Sequence, residues 1–460
     1  MYPPIMAQCF KAYDIRGQVP AQLNDDIAYR IGRALVAELQ GKNFVVGRDM
    51  RLESPSLAAA LVRGITEAGA NVIDIGLCGT EEVYFATGYY QVDGGVMITA
   101  SHNPKGYNGM KLVREGARPI SGDTGLDAIR VRVNNGDLGE ASATKGTVRQ
   151  TFSKVAYIDH LLTYIDVNAL KPLKILADPG NGAAGPVLRA LAKGLPFHWV
   201  FINDEPDGNF PNGVPNPLLP ENRKLTSEAL VANQCDLGLA WDGDFDRCFF
   251  FDADGRFIEG YYLVGLLAEM LLKQHPGGKV IHDPRLTWNT IEQVELAGGA
   301  AVQSKTGHAF IKERMREEDA LYGGEMSAHH YFRDFSYCDS GMIPWLLVAA
   351  LMSSTNKMLA HLVDERISKY PCSGEINYKV ENAQEIIQRI KEFYSVLDPS
   401  LDETDGISLE FSDWRFNLRS SNTEPLLRLN VETRSDAALL AVRVAELEGL
   451  ISPKPSSLAC

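Results

Sequence analysis

The sequence predicts an α/β protein of three consecutive α/β domains with mixed or parallel sheets, followed by a smaller C-terminal α+β domain. Three observations carry this. Short apolar runs alternate repeatedly with amphipathic helical stretches, the pattern of β-α-β units. The 460-residue chain is too long for one core, and at roughly 150 residues per domain it holds three or four. Beyond Pro371-Cys372-Ser373-Gly374 the alternation gives way to a helix, period-2 strands and a last helix.

The clearest unit begins at Asn43-Phe44-Val45-Val46-Gly47, a buried-strand run. Ser54 is read as the N-cap of the next helix, with Pro55 at its first position. Leu57, Leu61, Ile65 and Ala68 follow at helical spacing, Gly69 ends the helix, and Val72–Ile75 is the next strand. Similar units start at Leu173–Ala177, before a helix at Gly185–Lys193, and at Lys279–His282, before one at Thr287–Ala297. A helix near Ala383–Tyr394 and a strand at Leu427–Val431 belong to the last domain. The Gly-rich polar stretch Gly136–Gly146, the turn Asp252–Gly255 and Pro371–Gly374 set expected domains at 1–150, 151–256, 257–370 and 371–460. The tail Ser452–Ser457 is expected to fray.

Hydrophobic residues make up 45% and charged residues 23%, ordinary globular usage. Lys and Arg number 45 against 59 Asp and Glu, a net charge of −14 that disfavours nucleic acid or an anionic membrane as partner. An anionic substrate therefore needs a local basic island. Seven scattered Cys with no C-x-x-C pair fit a reducing compartment. Met1–Phe10 lacks signal-peptide character, and the apolar runs Leu266–Leu272 and Ile343–Met352 are far short of a membrane span. A cytoplasmic protein is expected.

Four stretches carry chemistry. Strand Leu237–Trp241 runs into Asp242-Gly243-Asp244-Phe245-Asp246-Arg247, and strand returns at Cys248–Phe251. Three carboxylates at i, i+2 and i+4 on a loop pinned at both ends repel one another unless a cation compensates. An acidic solvated turn is the plain alternative. A calcium loop is excluded, because Arg247 and Ala253 stand where Gly and Glu are required. Mg²⁺ suits the all-oxygen set. Strand Gly94–Ile98 leads into Thr99-Ala100-Ser101-His102-Asn103-Pro104. Ser101 lies in no G-x-S-x-G elbow, so a phosphoryl-carrying Ser fits better than an acyl-carrying one. A hydrogen bond between Ser101 and its sequence neighbour His102 is not expected. Gly323-Gly324-Glu325-Met326-Ser327 places a carboxylate and a hydroxyl on one side of an extended segment, suited to vicinal sugar hydroxyls. The adjacent His329-His330 is read as structural rather than as a zinc site. Arg419-Ser420-Ser421-Asn422-Thr423-Glu424-Pro425 matches a capping box only at Ser421–Glu424, and the period-2 sequence after it rules out a helix there. An Arg with clustered donors on a loop can bind phosphate.

Together these stretches resemble the α-D-phosphohexomutase family, over essentially the whole chain and in family order. The sugar-loop sequence Gly-Glu-Met-Ser is similar to the branch acting on mannose and glucose phosphates, and Ala328 departs from the Gly common in some dual-specificity members. The resemblance implies four domains around a central cleft. It implies conversion of mannose 6-phosphate and mannose 1-phosphate through phosphorylated Ser101 and a hexose 1,6-bisphosphate, supplying GDP-mannose. One Mg²⁺ would sit on Asp242, Asp244, Asp246 and the Ser101 phosphate. Arg16 and Arg247 would offset charge, and Lys111 would act as acid/base. Glu325, Ser327, His329, Arg285 and His308 would read the sugar. Arg419, Ser421, Asn422 and Thr423 would hold the phosphate that is not reacting. The oligomeric state implied is a monomer or homodimer. Glucose preference or dual specificity, a metal-dependent phosphatase and a non-catalytic sugar-phosphate-binding protein stay open as alternatives.

Overall fold

Strands Gly94–Ile98, Asn43–Arg48, Asn71–Leu77 and Val148–Gln150 lie parallel and adjacent in that order, because each apolar run is followed by a helix that returns the chain to the same edge. Tyr107–Arg114 then pairs antiparallel with Gly94–Ile98, and Ile15–Gln18 antiparallel with Tyr107–Arg114. The sheet is therefore mixed. In this computed structural model residues 2–151, 153–420 and 426–452 are described.

Two compact units form, Met1–Ile258 with His329–Leu359, and Glu259–Ala328 with Ala360–Cys460. The first unit holds the mixed sheet and a second sheet ordered Phe257–Ile258, Cys248–Phe251, Leu237–Trp241, Lys174–Asp178, His198–Phe201. Helices Asp25–Leu39 and Ser54–Glu67 bury Leu35, Leu57, Leu61 and Ile65 with Phe44 and Ile98 of the first sheet. The expected cap at Ser54 is not observed. Glu53 holds the cap position, and the Ser54 hydroxyl is given instead to Oδ1 of buried Asp49 at 2.6 Å, while accepting from Asn108 Nδ2 at 2.9 Å. The Ser54 oxygen that a cap would offer to the first-turn N–H groups is instead engaged by Asn108, and its proton satisfies a buried carboxylate.

In the second unit, Ala300–Gln303, Lys279–His282 and Tyr322–Gly324 run parallel. Residues 376–433 form an antiparallel sheet ordered Ile376–Lys379, Leu426–Thr433, Trp414–Ser420, Ile407–Glu410, Ser400–Asp402. Helices Ala383–Ser395 and Ala437–Ile451 give it Ile390, Tyr394 and Leu447, packed with Phe416, Leu418 and Leu429. Among the described residues no single helix is long and apolar enough to cross a membrane.

Candidate active site

In the first unit, functional side chains gather at the carboxyl ends of parallel strands, the usual ligand edge of such sheets. Buried strand Gly94–Ile98 delivers Ser101, whose φ of +48° lies in the left-handed region. Holding a non-glycine residue there costs of order 1–3 kcal/mol. The Ser101 N–H is fixed by Thr99 Oγ1 at 2.9 Å. Its carbonyl accepts from Arg51 Nη2 at 2.8 Å, and the same guanidinium donates to the carbonyls of Asn103, Pro104 and Tyr107. Arg16 donates to Asn103 Oδ1 and pairs with Asp14, each at 2.5 Å. The left-handed turn brings Ser101 Oγ to 3.1 Å from His102 Nδ1, within hydrogen-bond distance, a close approach that the sequence reading does not expect. Burial, with the charges of Arg247 and Arg16, pushes His102 well below the usual imidazole range. The ring is therefore neutral, and its Nδ1 accepts from Arg247 Nη2 at 2.6 Å.

The 242–246 loop closes against Ser101. Asp242 Oδ2 accepts from Ser101 Oγ at 2.7 Å and from Arg247 Nη2 and Nε at 2.8 and 3.0 Å. Gly243 is required here, since a Cβ would stand 2.7 Å from the Ser101 carbonyl oxygen. Lys111, on strand Tyr107–Arg114, donates to Asp244 Oδ2 at 2.7 Å and Asp246 Oδ2 at 2.5 Å. Burial disfavours its charge, but the two carboxylates overcome that and hold the ammonium above its ordinary pKa. Lys111 is thus a fixed cation, protonated at neutral pH. Asp246 is raised to about 6 by burial and by the Asp244 charge. Oxygens of Asp242, Asp244 and Asp246 converge within 4.8 Å of one another, an arrangement that fits a hard divalent cation. His329 lies close by. Its Nδ1 is 2.9 Å from Asp339 Oδ2, and both residues converge with Asp246.

The second unit gathers the remaining candidates. Arg285 Nη2 reaches Asp283 Oδ2 at 2.9 Å, Ser327 Oγ at 3.2 Å and Glu325 Oε1 at 3.3 Å. Against the penalty of burial, Asp283 and Glu325 hold this guanidinium above its ordinary pKa. Glu375 then joins Arg285, Arg419 and Arg428 at 3.4, 3.4 and 3.5 Å. His308 opens helix His308–Glu318, just after Gly307, whose N–H donates to Glu325 at 3.1 Å. Ser421, Asn422 and Thr423 lie outside the described residues.

Four family profiles match along the chain, the phosphoglucomutase/phosphomannomutase α/β/α domain I at 7–140, domain II at 155–255, domain III at 259–370 and the C-terminal domain at 375–449. The chain belongs to the phosphoglucomutase/phosphomannomutase family. Relatives agree with this phosphohexomutase assignment. A protein named for phosphohexose mutases, from Xanthomonas campestris, is 61% identical over 96% of this chain and 98% of its own. An Escherichia coli K12 phosphomannomutase is 57% identical over 96% and 99%. A crystal structure of a phosphoglucomutase/phosphomannomutase family protein from Burkholderia thailandensis superposes with a TM-score of 0.87 at 32% identity, covering 98% of both chains.

Sequence reading missed Arg51, Thr80, Asp283, Asp339 and Glu375. Arg51 and Thr80 do follow strands Asn43–Arg48 and Asn71–Leu77, so a reading of strand ends as ligand edges would have found them. Asp339 and Glu375 left no local signal.

Proposed function

We propose that this phosphohexomutase interconverts mannose 6-phosphate and mannose 1-phosphate, with Ser101 as the carrier of the phosphoryl group. The observation behind this is Ser101 Oγ, 2.7 Å from Asp242 at the head of a convergent, buried carboxylate triad, with Arg247 on the same oxygen. In the forward half-reaction a sugar hydroxyl oxygen bonds to the phosphorus of phospho-Ser101, and the Oγ–P bond breaks. The product is a hexose 1,6-bisphosphate. After reorientation, Ser101 Oγ bonds to the phosphorus of the other phosphoryl group as its sugar O–P bond breaks, and the two protons return by the reverse path, from Oγ to Lys111 and from His329 to the freed sugar oxygen. Such transfers are driven by positioning and charge stabilisation. Arg247 and Arg16 offset the phosphoryl charge. Lys111 supplies a proton to the departing Oγ, and His329, backed by Asp339, takes the proton from the attacking hydroxyl. Asp242, Asp244, Asp246 and the Ser101 phosphate would hold one Mg²⁺, which neutralises charge on the transferred group. Arg285, Glu325, Ser327 and His308 grip the sugar, and Arg419 with 421–423 the second phosphate. We assign four functional segments at 1–150, 151–256, 257–370 and 371–460, and place the product upstream of GDP-mannose in the cytoplasm.

Coupled assays on mannose, glucose and glucosamine 1-phosphates test the substrate. The highest kcat/KM is expected for the mannose compound. Turnover of none, or preference for glucosamine, contradicts the proposal.

A further inference from the structure

Outside the four stretches that carry the chemistry, one hydroxyl reaches into the carboxylate triad. Thr80 is fully buried and gives its proton to Asp244 Oδ2 at 2.6 Å. Lys111 Nζ stands 3.4 Å from the same hydroxyl, on the lone-pair side, so the donor direction runs from Lys111 through Thr80 to Asp244. A second bond fixes the main chain, since the Thr80 N–H donates to the Asp244 carbonyl at 3.0 Å. The post that carries Thr80 is rigid. It opens helix Thr80–Tyr89, with Gly79 as N-cap packed so closely on Phe245 that a Cβ would fall 2.1 Å from the ring. The next residue, Glu81, accepts from Tyr157, Ser340 and Gly341 at 2.6, 2.8 and 2.5 Å. Asp244 Oδ2 is thereby taken by two donors. Its Oδ1, equally buried, has no hydrogen-bond partner among the described residues. A buried carboxylate oxygen without a donor is costly unless it has a cation to meet.

We propose that Thr80 is a positioning residue for the cation site, turning Asp244 so that Oδ1 is the oxygen left for a divalent metal. The inference rests on the reading of the triad as that site. Of the three triad carboxylates, Thr80 bonds that of Asp244. It acts through the carboxylate, as partners behind metal ligands commonly do.

The test is Mn²⁺ titration of the full chain, with free Mn²⁺ read by electron paramagnetic resonance, on wild type, Thr80→Val and Thr80→Ser. Loss of the hydroxyl should weaken Mn²⁺ binding roughly 10- to 100-fold, while Thr80→Ser stays within about twofold of wild type. Thr80→Ala carries the same expectation as Thr80→Val should the valine variant not fold. Equal Mn²⁺ affinity in wild type and the hydroxyl-less variants overturns the proposal and leaves the triad reading standing. Equal weakening in Thr80→Ser and Thr80→Val also overturns it, because the methyl group rather than the hydroxyl would matter. A wild type that takes up no Mn²⁺ overturns the triad reading first and this inference with it.

Discussion

Replacing Lys111 by Met removes an ammonium held 2.7 Å from Asp244 and 2.5 Å from Asp246 while keeping the length of the side chain. At an effective permittivity near 20, each contact contributes about 6 kcal/mol of gross attraction. Burying the ammonium cancels much of this. What remains when one partner of a buried pair is deleted is a loss of about 3–5 kcal/mol, because the carboxylates are left uncompensated. Asp246 limits the damage. Burial and the Asp244 charge already raise it to about 6, and without Lys111 it rises further. A carboxyl whose folded pKa lies above its unfolded value contributes stability at low pH and loses it as pH climbs through the folded pKa. Lys111→Met should therefore melt well below wild type at pH 8 in chelator, and the gap should narrow at pH 6. Mg²⁺ should raise the melting temperature of the variant more than that of wild type. The assay is a thermal melt of both proteins at the two pH values, with chelator or with Mg²⁺. Coincident melts at pH 8 in chelator would refute the electrostatic reasoning.

Three further outcomes are expected. Asp244→Asn should lower kcat about a hundredfold, ~3 kcal/mol, through weakened metal contact, and full activity in excess chelator would count against a catalytic metal. Arg419→Ala should raise KM by an amount worth ~1.5–3 kcal/mol, with kcat also falling if the distal phosphate helps drive the reacting end; unchanged KM and kcat would remove Arg419 from the phosphate site. His330, fully buried, is depressed to about 3 by burial and by His329. A depressed imidazole binds fewer protons folded than unfolded, so its contribution is present above pH 6.5 and is lost toward pH 3, with a slope of about 1.4 kcal/mol per pH unit. His330→Gln should flatten the fall of the melting temperature across that window, and an unchanged acid profile would contradict the assignment.

Much of the fold was legible because its signals are local. The runs at Gly94–Ile98 and Leu237–Trp241 became fully buried strands, and Ala383–Ser395 formed the expected helix. The Asp triad was legible for the same reason, as its three carboxylates lie within five residues on one loop. What escaped depends on distance along the chain. Thr80 meets Asp244 across 164 positions, a pairing no local pattern encodes. The Ser101–His102 approach was not expected, because a strained left-handed φ, invisible in sequence, turns the two side chains together. Ser54 matched an N-cap pattern, yet Asp49 took its hydroxyl. Glu375 gathers three guanidiniums from residues 285, 419 and 428, none of them its neighbour in the chain.

The central claim is that Ser101 carries the group the enzyme moves. Its most direct test is to incubate the protein with hexose 1,6-bisphosphate labelled in its phosphoryl groups, quench, and map the label by peptide mass spectrometry. The account predicts label on the peptide holding Ser101, discharged when unlabelled mannose 1-phosphate is added and absent in Ser101→Ala. Sustained turnover with the label on another residue, or with none on the protein, would contradict it.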